Sequence, residues 1–171
     1  MPALDPAWNR AVSFIAALVA LTDDVVVVGL NTTEHPDGDY YVQLCREDGG
    51  DLTVEAVSNT YLEIPLDDSA ISHLHSLGFN DPIPDEMPNY FQHVLAGDTS
   101  PAQIAQLLVR TLELVYGATP EMQFQLAPHN LVESLLRGEF GDHLAYNRNR
   151  TESQRARRYM GLRFDRDLNP L

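Results

Sequence analysis

Hydrophobic residues near the start of the chain recur at the spacing of a helix. Four of them follow one another at intervals of four, three and four positions and define one apolar face: Trp8, Val12, Ile15 and Val19. The Asp5-Pro6 pair before them suits a helix start, because aspartate accepts hydrogen bonds from free amides and proline has no amide to leave unpaired. We therefore predict a first helix that ends near Thr22.

Beyond this helix the pattern changes to that of strands. Three strands are predicted, over residues 24–31, 40–45 and 52–57. The first contains consecutive valines from position 25 to 28, whose branched side chains favour extended backbone. In the other two, apolar and polar residues alternate. Turn residues occupy positions 36–39 and 47–51, so we expect an antiparallel meander connected by hairpins.

The second half of the chain is predicted to alternate helices with short extended segments. A short helix is expected from position 67 or 68 to position 77, with Gly78 as its left-handed terminator. A longer helix, with the clearest apolar face in the chain, is expected over residues 100–117. Three prolines make residues 80–88 a non-helical loop. Weaker patterns predict a short strand over 90–95, an edge strand over 122–126 and a last helix over 130–137.

The order of these elements indicates the fold class. Strands that cluster between helices, rather than alternating with them, are typical of an α+β domain in which helices cover one face of an antiparallel sheet. We predict an antiparallel sheet of three or more strands, flanked by helices, over residues 1–117. Residues 118–146 are expected to be an extension packed on this domain, and residues 147–171 a basic, mobile tail.

Charge is distributed unevenly along the chain. The net charge is −14, from 25 acidic residues and 11 basic ones, and every basic residue is an arginine. Residues 148–171 hold seven arginines against three acids, a net charge of +4, whereas residues 1–147 carry −18. Because an acidic body repels phosphate and anionic lipid, we expect neither nucleic acid nor membrane as a partner. A single cysteine and the lack of a long apolar run fit a cytoplasmic protein.

Residue types that often catalyse reactions do not form a known arrangement. His73 and His75 are two positions apart on a predicted helix, about 200° around its axis, so both cannot face one metal ion. Cys45 lies in a predicted strand and is more typical of a small core residue than of a nucleophile. The acidic turns at 47–51 and 81–86 lack the ligand spacing of a calcium loop. We predict no catalytic residue, no metal and no cofactor, and therefore no enzyme.

One succession of motifs resembles a known family. In chain order these motifs are Val57-Ser58-Asn59 with Leu62 three positions later, Leu77-Gly78-Phe79, a proline-rich loop, and Asn89-Tyr90-Phe91. The succession is similar to the peptide-binding chaperone domain related to type III secretion chaperones and the YbjN proteins, called TY-Chap. That family often has tryptophan where Tyr90 stands. The resemblance covers residues 7–117.

The resemblance implies a type III secretion chaperone-like fold. It also implies a non-enzymatic chaperone-like protein that binds a peptide or unfolded segment of a partner, as a homodimer and in a secretion-related setting. Its motif residues would be Ser58, Asn59, Leu62, Gly78, Phe79 and Asn89. An apolar surface for the client would be formed by Tyr40, Tyr41, Val57, Tyr61, Tyr90 and Phe91. The acidic body favours clients with basic stretches.

Four points stay open beside these assignments. The protein could instead be a regulatory or structural subunit that binds a folded partner, and the six aromatic and apolar residues could belong to the core. Ser58 and Asn59 could bond to local backbone and so mark the fold rather than a binding site. The arginine-rich tail either folds back onto the acidic body until a client displaces it, or is a solubilising or partner-binding segment.

Overall fold

Nine helices and strands make up the described part of the chain. The structure, a computed structural model, describes residues 4–21, 25–30, 40–120, 122, 124–128 and 162–163. In chain order the elements are α1 (Asn9–Leu21), β1 (Val25–Leu30), β2 (Tyr41–Arg46), β3 (Leu52–Ala56), α2 (Asp68–Ser76), β4 (Tyr90–Val94), α3 (Pro101–Tyr116), β5 (Phe124–Pro128) and β6 (Leu162–Arg163). The predicted turn at 36–39, the predicted helix at 130–137 and most of the tail lie outside the described residues.

The strands form one antiparallel sheet in the order β4-β3-β2-β1-β5-β6. Strands β1 to β4 are neighbours in chain order, and the described helices flank them, which confirms the predicted α+β class. Strand β5 adds to the free side of β1. The predicted edge strand at 122–126 is therefore wrong in two respects: it runs from Phe124 to Pro128, and Leu162–Arg163 pairs with its other side.

The helix boundaries follow the capping residues seen in the sequence. A 3-10 turn, Pro6–Trp8, precedes α1, and the side chain of Asp5 accepts a hydrogen bond from the Ala7 amide at 2.8 Å. The helix start was thus correctly predicted, although its first turn is 3-10 rather than α. At α3, Ser100 and Gln103 form a reciprocal capping box, and Gly117 ends the helix with a φ of 67°.

The hydrophobic core lies between the helices and one face of the sheet, here called the inner face. Strand residues on this face are fully buried, as Val42 and Leu44 of β2 show. Helix α3 packs against β2 and against both other helices, and Leu108 and Leu112 bring its apolar side into the core. Two polar contacts tie α1 and its first turn to the rest: Trp8 Nε1 donates to Glu113 at 3.0 Å, and Arg46 donates to the Val19 carbonyl at 3.0 Å.

The opposite face of the sheet, here called the outer face, carries the alternate residues of the same strands. Strand alternation and register place nine side chains there: Val25, Val27, Tyr41, Gln43, Cys45, Thr53, Glu55, Phe91 and His93. Most are half-buried, Thr53 and Phe91 are buried, and His93 is exposed. Among the residues that the structure describes, no helix has both the length and the apolar character needed to cross a lipid bilayer.

Candidate functional site

Ser58 connects the end of β3 to the start of β4. Its hydroxyl donates to the Pro88 carbonyl at 2.6 Å, and its backbone N–H donates to Asn89 Oδ1 at 3.3 Å. The same hydroxyl accepts a hydrogen bond from the Thr60 amide at 3.2 Å. Because Ser58 is almost fully buried, these bonds replace the water that it loses. The two strands are thus held together across an interval of 30 residues.

Asn89 continues this connection towards the outer face. Its side-chain amide donates to Glu55 Oε2 at 2.8 Å and to the Tyr41 hydroxyl at 3.3 Å. Asn89 is only 4% exposed, so leaving these donors unpaired would cost about 1–3 kcal/mol. Together Ser58, Asn89, Glu55 and Tyr41 form what is here called the asparagine network, which joins β2, β3 and the start of β4.

The other motif residues shape the connection between β3 and β4. Asn59 Oδ1 accepts a hydrogen bond from the Leu66 amide at 2.6 Å and so closes the loop before α2. Gly78 ends α2 with a φ of 93°, and the Phe79 amide reaches back to the Leu74 carbonyl at 3.1 Å. This is a Schellman cap, in which the buried side chains of Leu74 and Phe79 accompany the backbone bonds. Leu62 is buried in the core.

The six residues predicted to contact a client occupy three different environments. Val57 and Tyr90 are buried in the core, and Tyr40 packs against Tyr116 with ring centroids 5.3 Å apart. Tyr61 lies in the loop after β3 and is 55% exposed. Tyr41 and Phe91 belong to the outer face by strand alternation, but Phe91 is buried there, and Tyr41 is half-buried and also packs against the core. The structure therefore brings two of the six to one face of the sheet, where neither is fully exposed.

A cluster of tyrosines supports the sheet beneath the asparagine network. The Tyr116 hydroxyl donates to the Val57 carbonyl at 2.9 Å. Burial raises the pKa of Tyr116 well above its usual value, and the nearby tyrosines Tyr41, Tyr90 and Tyr40 raise it further. Burial, and then the Asp81 carboxylate, raise the pKa of Tyr90. These hydroxyls therefore stay protonated at neutral pH, so Tyr116 remains a hydrogen-bond donor.

A second cluster of polar side chains lies on the outer face, and the sequence did not predict it, because its members are far apart along the chain. Thr53 Oγ1 lies 2.9 Å from His93 Nδ1 and also donates to the Glu47 carboxylate. The His93 and Phe91 rings pack edge to face at 5.5 Å between centroids. Strand alternation puts these residues on one face, but only the register of β3 with β4 pairs Thr53 with His93.

Cys45 lies in the same row of the sheet, opposite Thr53. Its interpretation as a small core residue is wrong, because it alternates with the buried residues of β2 and is half-buried on the outer face. One strand separates it from His93, so the two backbones are about 9–10 Å apart, and Thr53 lies between them in the row. Within the described residues, no three His, Cys, Asp or Glu side chains form a group that could hold a metal ion.

The fold and the asparagine network define a class of protein: an α+β domain whose antiparallel sheet has helices packed on one face, and whose β3–β4 connection is tied by buried polar side chains. The chain belongs to the family described as T3SS (YopN, CesT) and YbjN peptide-binding chaperone 3, TY-Chap3, whose family model matches residues 1–128. This finding confirms the resemblance drawn from the motifs and extends the match through β5. No curated protein and no solved structure matches the chain.

The asparagine network predicts that Asn89→Asp lowers the stability of the fold, and that the loss depends on pH. This change removes both N–H donors and places a second carboxylate next to Glu55, so we expect the free energy of unfolding to fall by about 2–3 kcal/mol at pH 7. Mutual repulsion raises the pKa of the pair in the folded state, so the folded protein binds more protons than the unfolded one. Stability should therefore recover as the pH falls, which urea unfolding between about pH 7.5 and 5 would measure.

Asn59→Asp is the matched control for this experiment. Asn59 uses only its oxygen, as an acceptor from the Leu66 amide, and aspartate keeps that acceptor. We expect it to change stability by less than about 0.5 kcal/mol at pH 7. If both variants showed the same stability and the same pH dependence, the bonds that Asn89 donates would not hold the two strands together.

Proposed function

We propose that this protein is a non-enzymatic chaperone that holds an extended or unfolded segment of a partner protein against the outer face of its sheet. The observation that carries the proposal is the one-sided architecture. The three described helices and the hydrophobic core lie on the inner face, whereas the outer face presents side chains of β1 to β4. Membership of a peptide-binding chaperone family supports it.

The outer face has the composition of a surface that accepts many sequences. Apolar side chains such as Val27, Tyr41 and Phe91 alternate across the strands with groups that can hydrogen-bond, such as Gln43 and His93. Apolar residues of a client would gain burial there, and its backbone or polar side chains would find donors and acceptors within one strand spacing. A flat, mixed surface of this kind selects for an extended chain more than for one sequence.

Charge indicates which clients the face prefers. Acidic side chains stand at the β2–β3 turn, in the middle of the face and in the loop before β4: Glu47, Asp48, Asp51, Glu55, Asp81, Asp85 and Glu86. The arginine of β2, Arg46, lies in register with inner-face residues and donates to the Val19 carbonyl in the helical layer. We therefore propose a client segment whose apolar residues are flanked by basic ones.

The charge preference predicts a salt-dependent difference between two peptides. An unstructured peptide with an apolar centre and arginine flanks should bind at least about tenfold more tightly at low salt than the same centre with glutamate flanks. The difference should shrink as salt is raised to about 0.5 M, because screening weakens attraction and repulsion alike. Fluorescence anisotropy of labelled peptides against the full chain measures both. Equal affinities at low salt would contradict the charge argument.

The position of the surface predicts different effects for two similar substitutions. Val27→Gln places a polar side chain in the middle of the outer face, and we expect it to weaken binding of the arginine-flanked peptide by about tenfold. Leu114→Gln is the matched control, since Leu114 is an exposed apolar residue on α3, on the other side of the sheet. It should leave the affinity unchanged. The reverse order of effects would place the client on the helical layer.

The main alternative is a regulatory or structural subunit that binds a folded partner. A chaperone should bind an unfolded client and reduce its aggregation on heating, whereas such a subunit would do neither. We expect the full chain, at an equal molar amount, to suppress aggregation of a thermally unfolded client that carries basic segments, with Val27→Gln suppressing it less and Leu114→Gln as well as the wild type. Full binding to the folded client with no effect on aggregation would support the alternative.

Two finer parts of the proposal rest on the family resemblance: a homodimer and a secretion-related setting. A third, a cytoplasmic location, rests on the single cysteine and the lack of a long apolar run. The dimer can be tested directly. Light scattering of the purified chain should give a mass of about twice 19.1 kDa. A monomer at micromolar concentration would remove the homodimer from the proposal and leave the client surface, which lies within one chain.

A further inference from the structure

The second side of β5 is paired with a segment from the far end of the chain. Leu162–Arg163 runs antiparallel to β5, with Arg163 opposite Gln125 and Leu162 opposite Leu126. The first side of β5 is taken by β1 along all five of its residues. The pairing segment lies beyond residue 128, where the family match ends, and is therefore a feature of this chain that the family description does not cover.

The pairing segment belongs to the arginine-rich part of the chain. Residues 148–171 carry a net charge of +4, against −18 for residues 1–147. Around the two paired residues, apolar and basic side chains are mixed in the sequence Tyr159-Met-Gly-Leu-Arg-Phe-Asp-Arg166. This is the chemistry that the charge of the body attracts, and it resembles the client chemistry proposed above. Attraction between the two parts should weaken as salt is added.

The described contact is short compared with the strand that accepts it. Within the described residues, two residues of β6 pair with β5, which has five. The side of a strand that lacks a partner presents N–H and C=O groups to which another extended chain can add. A ladder of two residues is easily exchanged for a longer one, because each further pair adds backbone hydrogen bonds.

We propose that the free side of β5 is a strand-binding edge, that the arginine-rich segment centred on Leu162–Arg163 is its intramolecular occupant, and that this occupant competes with a basic, extended segment of a client. The docking of the segment is inferred from the pairing of β6 with β5 and does not depend on the proposed function. The competition rests on the function proposed above, and the experiment below separates the two. Release of the segment by a client would couple binding at the sheet to exposure of the arginines.

The docking is tested by a full-length double variant, Leu162→Pro with Arg163→Pro. Proline has no N–H, so whichever of the two amides faces β5 is lost. We expect the backbone amides of residues 124–127 that point towards β6 to exchange with deuterium at least about tenfold faster than in the wild type. Those that point towards β1, and those of α3, should keep their rates. A synthetic peptide of residues 157–168, added in excess to the variant, should restore protection, and less so in 0.5 M salt.

The matched control is Ser153→Pro with Gln154→Pro, two prolines in the same arginine-rich stretch but outside β6. It should leave the exchange of β5 at the wild-type rate. Unchanged exchange of β5 in the Leu162→Pro, Arg163→Pro variant would overturn the docking, and equal acceleration in both variants would show that prolines in the tail act without the strand pairing.

The competition is tested with the arginine-flanked peptide on the same three proteins. Removing a bound competitor raises the fraction of competent protein, so the Leu162→Pro, Arg163→Pro variant should bind this peptide about 3- to 10-fold more tightly than the wild type and the control variant. An affinity equal to that of the wild type would overturn the competition. If no protein bound the peptide while β5 exchange still rose, the proposed function would fail and the docking would stand.

Discussion

The packing of α3 on the inner face of β2 is the contact on which the rest of the structure depends. The contact removes four side chains almost entirely from water: Val42 and Leu44 of the strand, and Leu108 and Leu112 of the helix. Because strand side chains alternate between faces, burying this set commits the other set to the opposite side. The outer face with Tyr41 is therefore a direct consequence of where α3 lies, and any client surface there depends on it.

Buried hydrogen bonds, rather than ion pairs, hold the candidate site in position. Ser58 and Asn89 join chain segments 30 residues apart, and Asn89 also connects Glu55 with Tyr41. An amide can donate and accept at once without carrying a charge into the interior, which is why it suits a position with 4% exposure. The buried motif residues Ser58 and Asn89 thus hold the β3–β4 connection in place.

Both edges of the sheet are paired with other segments of the same chain. Asn80 exchanges backbone bonds with Phe91 beside β4, and Leu162–Arg163 pairs with β5. Pairings of this kind protect strand edges from uncontrolled association, because an edge that is fully open can pair with further copies of the same chain.

Local patterns were enough to predict the three described helices, the first four strands and the caps at Asp5, Gly78 and Ser100, because these features depend on residues within a turn or two of one another. Local patterns could not place the candidate surface residues. Val57 and Tyr90 have the residue types of a binding surface but lie in the core, and Cys45 lies outside it. The alternation of side chains along a strand shows which residues share a face. The pairing register of the strands and the position of α3 decide which face is buried. Those depend on contacts between distant segments, such as Thr53 with His93 and β5 with β6, and only the folded chain brings them together.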